Sequence, residues 1–446
     1  MSETCVGRAD CESVPLRFCA NAVLFTALLP CVSPIVLPDT DVQLTALGTS
    51  ILVLMGLFFL RPRLLSIRRI DLVVLGIGLL SFIYVRPSVA FADPTATLRA
   101  CGQIVLAFPV YYAVRVLYRY MSPWVFLGVV VLYLLALALQ MWWPDAYAST
   151  FAHVLSDTRW DAEGGRGPNG LCTEPSVMGN VCILFIASLY FFHLEYWKSH
   201  RNARRFVVAA SCIMLVITQS GTGLVLGMFA ALAALLGSKL SRRAKLAILT
   251  GFLLAIVLLG RTLSVSGSRG ASIVSGVADN PLWIVAEPNF AIRVLDLYVG
   301  FHQIPSQPFG SFDVRADPDA TDSALDGDAA VHIWPEPSLR TLLSNLRWSR
   351  DDTHGAGAVL ERMGILGALI IVALMFWPLG FHGEWVVRTF IAGILFNASL
   401  FTPTLWFVIG CCAALRSTRK NASHRFALAP RKGATSRVCT ETGAAS

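Results

Sequence analysis

The chain has 446 residues, of which 55% are hydrophobic and only 14% are charged, and its mean hydropathy is +0.63. A soluble globular protein carries roughly 25% charged residues, so this composition excludes that class and predicts a polytopic membrane protein. The net charge of +8 is accounted for by basic turns beside anionic lipid and indicates no nucleic-acid partner.

The apolar segments predict an all-α fold with about 12 transmembrane helices, because a bilayer core about 30 Å thick requires roughly 20 apolar residues for each crossing. Helices 1–9 fall within residues 18–260 and helices 10–12 within residues 356–415, after an N-terminus at 1–17 and before a basic tail at 416–446. The tail is predicted to be disordered from Ser417. The predicted spans lie near 18–37, 43–60, 70–85, 100–118, 123–142, 176–194, 206–219, 221–237, 246–260, 356–379, 384–399 and 401–415.

Basic residues concentrate in the connections that follow the second, fourth, sixth and eighth predicted helices. They are Arg61, Arg63, Arg68, Arg69, Arg115, Arg119, Lys198, Arg201, Arg204, Arg205, Lys239, Arg242, Arg243 and Lys245. By the positive-inside rule these connections and both termini are cytoplasmic. The outer segment at 143–175 and the large loop at 261–355, between predicted helices 9 and 10, therefore face the extracytoplasmic side. No cleavable signal peptide is expected, because the first apolar run lacks a small-residue cleavage site.

The connection from Arg166 to Pro175 is the most informative motif in the chain. It reads Arg-Gly-Pro-Asn-Gly-Leu-Cys-Thr-Glu-Pro and places a cation, Arg166, and a carboxylate, Glu174, at the edge of the membrane. Ionisable groups are costly to desolvate beside hydrocarbon unless they meet a charged ligand or each other. This connection is therefore a candidate site.

The loop at 261–355 contains an amphipathic pattern that predicts a helix at 288–304, opened by Pro288 and closed before Pro305. Its apolar stripe, expected to lie on the bundle or at the interface, holds Arg293 at a defined depth. The alternative role for Arg293 is a helical ion pair with Asp296. The stripe consists of Phe290, Val294, Leu297, Phe301 and Ile304.

An acidic stretch follows this helix and is interpreted as a solvated loop. Its members are Asp313, Asp317, Asp319, Asp322, Asp326 and Asp328. The spacing does not match a calcium-binding loop, because no glutamate closes a twelve-residue frame.

The next predicted helix begins after His354. His354 and Glu361 are two turns apart and project from one helix face, with the small residues Gly357 and Ala358 between them. Spacing alone leaves two roles open for His354, because a lone histidine at a helix start is also an ordinary capped surface residue.

Four motifs in this order resemble the O-antigen polymerase and ligase superfamily. They are residues 166–176, residues 218–223, Arg293 with residues 307–310, and His354 with residues 361–367. The resemblance covers roughly residues 160–370. It implies a metal-independent membrane glycosyltransferase of the bacterial inner membrane that requires no cofactor and uses a polyprenyl-diphosphate-linked oligosaccharide as donor and a glycan as acceptor.

The resemblance also suggests roles for the site residues. Arg166 and Arg293 are expected to bind the diphosphate, because the planar guanidinium suits phosphate oxygens. His354 and Glu174 are expected to act on the acceptor hydroxyl, one as base and the other as orienting group. Membrane lipids and other polysaccharide-assembly proteins are the remaining expected partners.

Three functions stay open at this stage. Glu174-Pro175-Ser176 resembles the corresponding element of family members that act in polymerisation, and this resemblance favours a polysaccharide polymerase. An O-antigen ligase would use the same donor with another terminal acceptor. A non-enzymatic transporter or flippase of lipid-linked glycan has a similar helix layout, but the sequence shows few ionisable residues at mid-membrane positions and no internal repeat.

Overall fold

The computed structural model describes residues 4–34, 45–83, 108–151, 153–155, 167–218, 220–238, 240–251, 276, 288–310, 318–348, 355–376, 384–397 and 402–428. All regular secondary structure in these ranges is helical, which confirms the predicted all-α class. The helices are α1 (Thr4–Leu28), α2 (Thr45–Leu60), α3 (Arg69–Ile83), α4 (108–117), α5 (Pro123–Trp142), α6 (Pro144–Phe151), α7 (Pro175–Ser188), α8 (Leu194–Ser199), α9 (Arg201–Thr218), α10 (Gly221–Gly237), α11 (242–251), α12 (Pro288–Gln303), α13 (Pro318–Leu325), α14 (Asp328–Ile333), α15 (Pro337–Trp348), α16 (Gly355–Met375), α17 (Glu384–Asn397) and α18 (Pro403–Leu428).

Several helix bounds differ from the predicted spans. The bounds of α5 and α10 coincide with the predictions, but α1 begins within the segment predicted as a polar N-terminus and ends well before residue 37. The prediction that the tail is disordered from Ser417 is wrong as far as Leu428, because α18 continues to that residue. Residues 417–428 contain neither glycine nor proline and Pro430 follows, so the local sequence permits the helix and then stops it.

Two helices in the described ranges, α5 and α16, are long and apolar enough to cross a membrane, and several shorter helices are also apolar. Large apolar side chains are exposed along the outer faces of α2 and α5, among them Phe59 at 75% and Leu135 at 61%. Extensive exposed apolar surface of this kind is typical of contact with lipid or protein partners. The architecture is compatible with a membrane protein.

The main hydrophobic core joins α7, α9, α10, α16 and α17 with the N-terminal helices. Helix α7 crosses α10 where Gly179 faces Gly223, and a methyl group on either residue would overlap the other. Small residues at such a crossing let two backbones approach closely, as is common between membrane helices. Helix α17 packs against both α7 and α10 and continues the core to α16.

A buried ion pair fastens α3 to α4. The Nε atom of Arg115 lies 2.8 Å from Oδ1 of Asp71, and Tyr111 donates its hydroxyl to the same oxygen at 2.8 Å. Arg115 also donates to the carbonyl of Ser66 at 2.6 Å. Arg115, counted above among the basic residues of a connection, is therefore a buried partner of Asp71.

Helices α12 to α15 form a second, smaller core. It contains Ala291, Ile292, Leu295, Val299, Ala324, Leu325, Ala330, Trp334 and Leu343. The expectation of a solvated acidic loop is wrong for the described part of that stretch, since α13 and α14 run through it. Asp322 accepts a hydrogen bond from the hydroxyl of Ser344 at 2.9 Å, which ties α13 to α15.

Candidate functional site

The loop at 167–174 is held by the side chain of Gln140, near the end of α5. The Oε1 atom of Gln140 accepts hydrogen bonds from the backbone amides of Asn169 at 3.0 Å and Gly170 at 2.8 Å. Its Nε2 atom donates to Oδ1 of Asn169 at 2.7 Å, and Nδ2 of Asn169 donates to the carbonyl of Thr173 at 2.9 Å. Gln140 and Asn169 are 1% and 0% exposed, so this polar network is buried and its members pair with one another.

Tyr147 on α6 holds the same loop from the other side by donating its hydroxyl to the carbonyl of Gly170. Burial raises the pKa of Tyr147, so the phenol stays protonated and remains a donor. Burial also raises the pKa of Cys172, and a hydrogen bond with the Cys31 thiol adds to that shift. The loop is therefore rigidly positioned before any ligand binds.

Glu174 is the residue at which this loop becomes α7. It occupies the N-cap position with extended backbone, and Pro175 begins the helix. Ser176 donates its hydroxyl to Oε2 of Glu174 at 3.1 Å. The carboxylate is partly exposed and lies at the start of α7.

The first and second sequence motifs meet directly. A methyl group on Gly167 would overlap the carbonyl oxygen of Thr218, the last residue of α9. Ser220 then caps α10 by accepting a hydrogen bond from the amide of Gly223 at 3.0 Å. The loop that ends at Glu174 is consequently packed on the turn between α9 and α10.

The third and fourth motifs also meet. Helix α16 is kinked at Gly364, whose φ is 52° and ψ is −129°, a conformation that favours glycine. The amide of Ile365 donates to the carbonyl of Pro308 at 2.9 Å, so the segment 307–310 supplies the acceptor at the kink. A methyl group on Gly310 would overlap the carbonyl of Arg362, which shows how closely the two backbones approach.

Arg293 lies near the beginning of α12, where three helix ends come together. The rings of Phe290, on the first turn of α12, and Phe396, on the last turn of α17, are 4.9 Å apart. Gly355, the first residue of α16, packs against the carbonyl of the same Phe396. One turn after Arg293, the backbone of Asp296 packs against Gly357 of α16. The turn of α12 that carries Arg293 therefore lies beside the first turn of α16.

These helix ends are also close to the loop that carries Glu174. Gly393 of α17 packs against Leu226 of α10. Each of these residues lies within about one and a half helical turns of a helix end, Asn397 and Gly221 respectively. The end of α17, which contacts α12 and α16, is thus near the start of α10, close to the end of α9 on which Gly167 packs.

The structure describes two of the four predicted site residues, Glu174 and Arg293, while Arg166 and His354 lie outside the described residues. The predicted apolar stripe of α12 is wrong in part, because Phe301 is 56% exposed and the buried face carries other residues, including Asp296 at 1%. Asp296 is thus a buried carboxylate at a helix crossing, near the 3%-exposed Glu361 of α16.

Sequence reasoning missed Gln140 and Asn169, which shape the loop. The available signal was Gln140 itself, a lone amide in a helix that is otherwise apolar or aromatic. A buried amide in such a helix needs hydrogen-bond partners, which points to a packed polar segment nearby.

Within the ranges described, no group of three or more His, Cys, Asp or Glu side chains is placed to hold a metal ion. In comparisons with known proteins, no family model, curated protein or solved structure matches this chain.

Proposed function

We propose that the protein is a polysaccharide polymerase of the bacterial inner membrane. It transfers a glycan from polyprenyl diphosphate to a hydroxyl of a lipid-linked repeat unit on the extracytoplasmic face. The observation that carries the proposal is the convergence of the motifs. Gly167 packs on Thr218, the segment 307–310 packs on residues 362–365, and the helix ends that join the two pairs lie close together. Residues far apart in sequence thus form one region, as a single active site requires.

The reaction needs positive charge more than an acid. The acceptor oxygen forms a bond to the anomeric carbon, the bond from that carbon to the diphosphate oxygen breaks, and the diphosphate leaves with the electron pair. Arg166 and Arg293 stabilise the charge that develops on the diphosphate, since a guanidinium presents two parallel donors and stays charged. The helix turns on either side of Arg293 are held by contacts, Phe290 with Phe396 and Asp296 with Gly357, and this favours a fixed position for the cation.

The acceptor hydroxyl loses its proton during the attack. His354 takes this proton, and Glu174 orients the acceptor or Arg166 from the end of α7. General-base assistance contributes on the order of 10²–10⁴-fold to such a step. The partly exposed carboxylate of Glu174, fixed by Ser176 and by the helix start, is suited to an orienting role.

Two variants test these roles in purified protein with a synthetic polyprenyl-diphosphate glycan. Arg293→Lys keeps the charge but loses the two-pronged geometry, so most activity should disappear at unchanged membrane abundance. Arg340→Lys is the matched control, because Arg340 lies in the same helical unit and donates to the backbone carbonyl of Trp334. His354→Gln should slow turnover at least about a hundredfold with little change in donor binding. Near-normal activity of Arg293→Lys and His354→Gln would show that neither residue has its proposed role in the reaction.

Deletion of the gene, with glycan profiling of the host, tests the function as a whole. A polymerase predicts loss of long chains and accumulation of single lipid-linked repeats. Long chains that persist on the carrier without reaching a terminal acceptor would instead indicate a ligase. Repeats trapped on the cytoplasmic face would indicate a flippase.

The proposal includes the topology of about 12 spans with both termini inside. Cysteines introduced near Asp326 should react with a membrane-impermeant maleimide in intact cells, and cysteines near Lys420 should react only after permeabilisation. Labelling of the tail from outside would contradict the orientation and with it the extracytoplasmic site.

A further inference from the structure

A cavity of about 660 Å³ lies at the C-terminal end of α12, where the chain turns toward the segment 307–310. Its size is within the range of pockets that hold small organic ligands, about 300–1,000 Å³. Along the helix it is about 15 Å from Arg293, at 1.5 Å per residue. The cavity is lined by Tyr298, Phe301, His302, Gln303, Ser306 and, from α13, Ser323.

Gln303 is the unusual member of this lining. It is 4% exposed, yet among the residues that the structure describes neither the nitrogen nor the oxygen of its side-chain amide has a hydrogen-bond partner. A buried polar group without a partner is destabilising, and native proteins rarely retain one without a reason. The backbone around it is firmly held, because the carbonyl of Gln303 accepts from the amide of Ser306 at 3.1 Å and from the amide of Gln307 at 2.7 Å. The amide therefore offers one acceptor and two donors in a fixed position.

The other lining residues add aromatic faces to this amide. The rings of Tyr298 and His302 stack with centroids 6.1 Å apart, and Tyr298 is braced edge-on by Trp334 at 6.1 Å. Phe301 presents an exposed ring to the solvent. The described lining residues include no lysine, arginine or carboxylate, so they offer a diphosphate no ionic partner.

Sugars match this combination of groups. Adjacent hydroxyls of a pyranose ring donate and accept hydrogen bonds and so satisfy both ends of a planar amide, while the C–H face of the ring packs on aromatic side chains. We infer that the cavity at the end of α12 is a binding subsite for sugar residues of the acceptor glycan. The role as acceptor subsite rests on the proposed function, whereas the binding of a glycan rests on the cavity itself.

Direct binding is the first measurement. The full-length protein in lipid nanodiscs is titrated with the free repeat-unit oligosaccharide released by mild acid from the carrier lipid of the producing cell. Gln303→Met keeps the length of the side chain and removes its hydrogen-bonding groups, so folding should be unimpaired because no described residue pairs with these groups. Its affinity for the oligosaccharide should fall at least tenfold. Phe301→Ala should weaken binding similarly and cannot open the core, since Phe301 is exposed.

His332→Ala is the control, because His332 is an exposed residue of α14 outside the cavity lining. It should bind the oligosaccharide like the parent. Parental affinity in folded Gln303→Met or in Phe301→Ala, or no binding to the parent protein, would overturn the inference.

The transfer reaction then separates this inference from the proposed function. In Gln303→Met the acceptor KM should rise at least tenfold while the donor KM stays unchanged. An unchanged acceptor KM would refute the acceptor role. If the protein binds the oligosaccharide through Gln303 but transfers no glycan, the proposed function fails while the glycan subsite stands.

Discussion

Replacing Gln140 with leucine should release the loop at 167–174 while leaving the insertion of α5 intact. The substitution removes three buried hydrogen bonds and leaves the amides of Asn169 and Gly170 and the side-chain oxygen of Asn169 without their partner. At about 1–3 kcal/mol for each group left without a partner, the loss of stability is about 3–9 kcal/mol. The lower value applies, because the loop can move and let water bind these groups. We expect a loss of about 3 kcal/mol from the local stability of the loop.

Hydrogen exchange measured on the purified protein tests this value. A loss of about 3 kcal/mol corresponds to roughly 100-fold faster exchange at the amides of Asn169 and Gly170. Met141→Leu is the matched control, since Met141 is the next residue, is 49% exposed and becomes the same amino acid. Membrane abundance should not fall in Gln140→Leu, because leucine makes α5 more apolar. Parental exchange rates at both amides would refute the conclusion that Gln140 holds the loop.

Three further predictions address other parts of the molecule. Gly364→Ala should sharply lower the folded yield measured by size-exclusion chromatography, because φ at this residue is +52° and a methyl group has no space there. Gly128→Ala is the control, since a methyl group at that position meets open space and the yield should not change. Equal yields of the two variants would contradict the kink at Gly364. Asp71→Asn leaves Arg115 buried without its charged partner and should lower the free energy of unfolding in detergent by about 3–5 kcal/mol. An unfolding midpoint equal to that of the parent protein would disprove this. The raised pKa of Cys172 should make its thiol react slowly with iodoacetamide at pH 8, and fast alkylation of the folded protein would refute this. The free energy of unfolding should fall above about pH 8.5, because the thiol then ionises only in the unfolded chain.

Features that depend on short stretches of sequence could be predicted. The apolar runs gave α5 and α10 with their bounds, and the pair Pro288 and Pro305 gave α12, because proline sets a helix start and excludes its continuation. The acidic stretch and the tail from Ser417 were misjudged, since polar composition was taken as a sign of irregular structure. In the acidic stretch, Ala324, Leu325 and Ala330 lie among the aspartates and pack into the small core with α12, and local composition does not reveal such a partner.

The sequence by itself determined the helical class of the described chain and the apolar character of its helices, because hydrophobic content and periodicity are properties of the chain alone. The tertiary structure decided which of these residues meet. Gly167 contacts Thr218, the carbonyl of Pro308 accepts a hydrogen bond at the kink beside Gly364, and the tilted rings of Phe290 and Phe396 are in contact. All three contacts join segments that are distant in the chain. The tertiary structure also decided which face of α12 is buried. This helix packs against α16 on one side and against the smaller core on the other, and the close backbone packing at the crossing with α16 fixes its rotation.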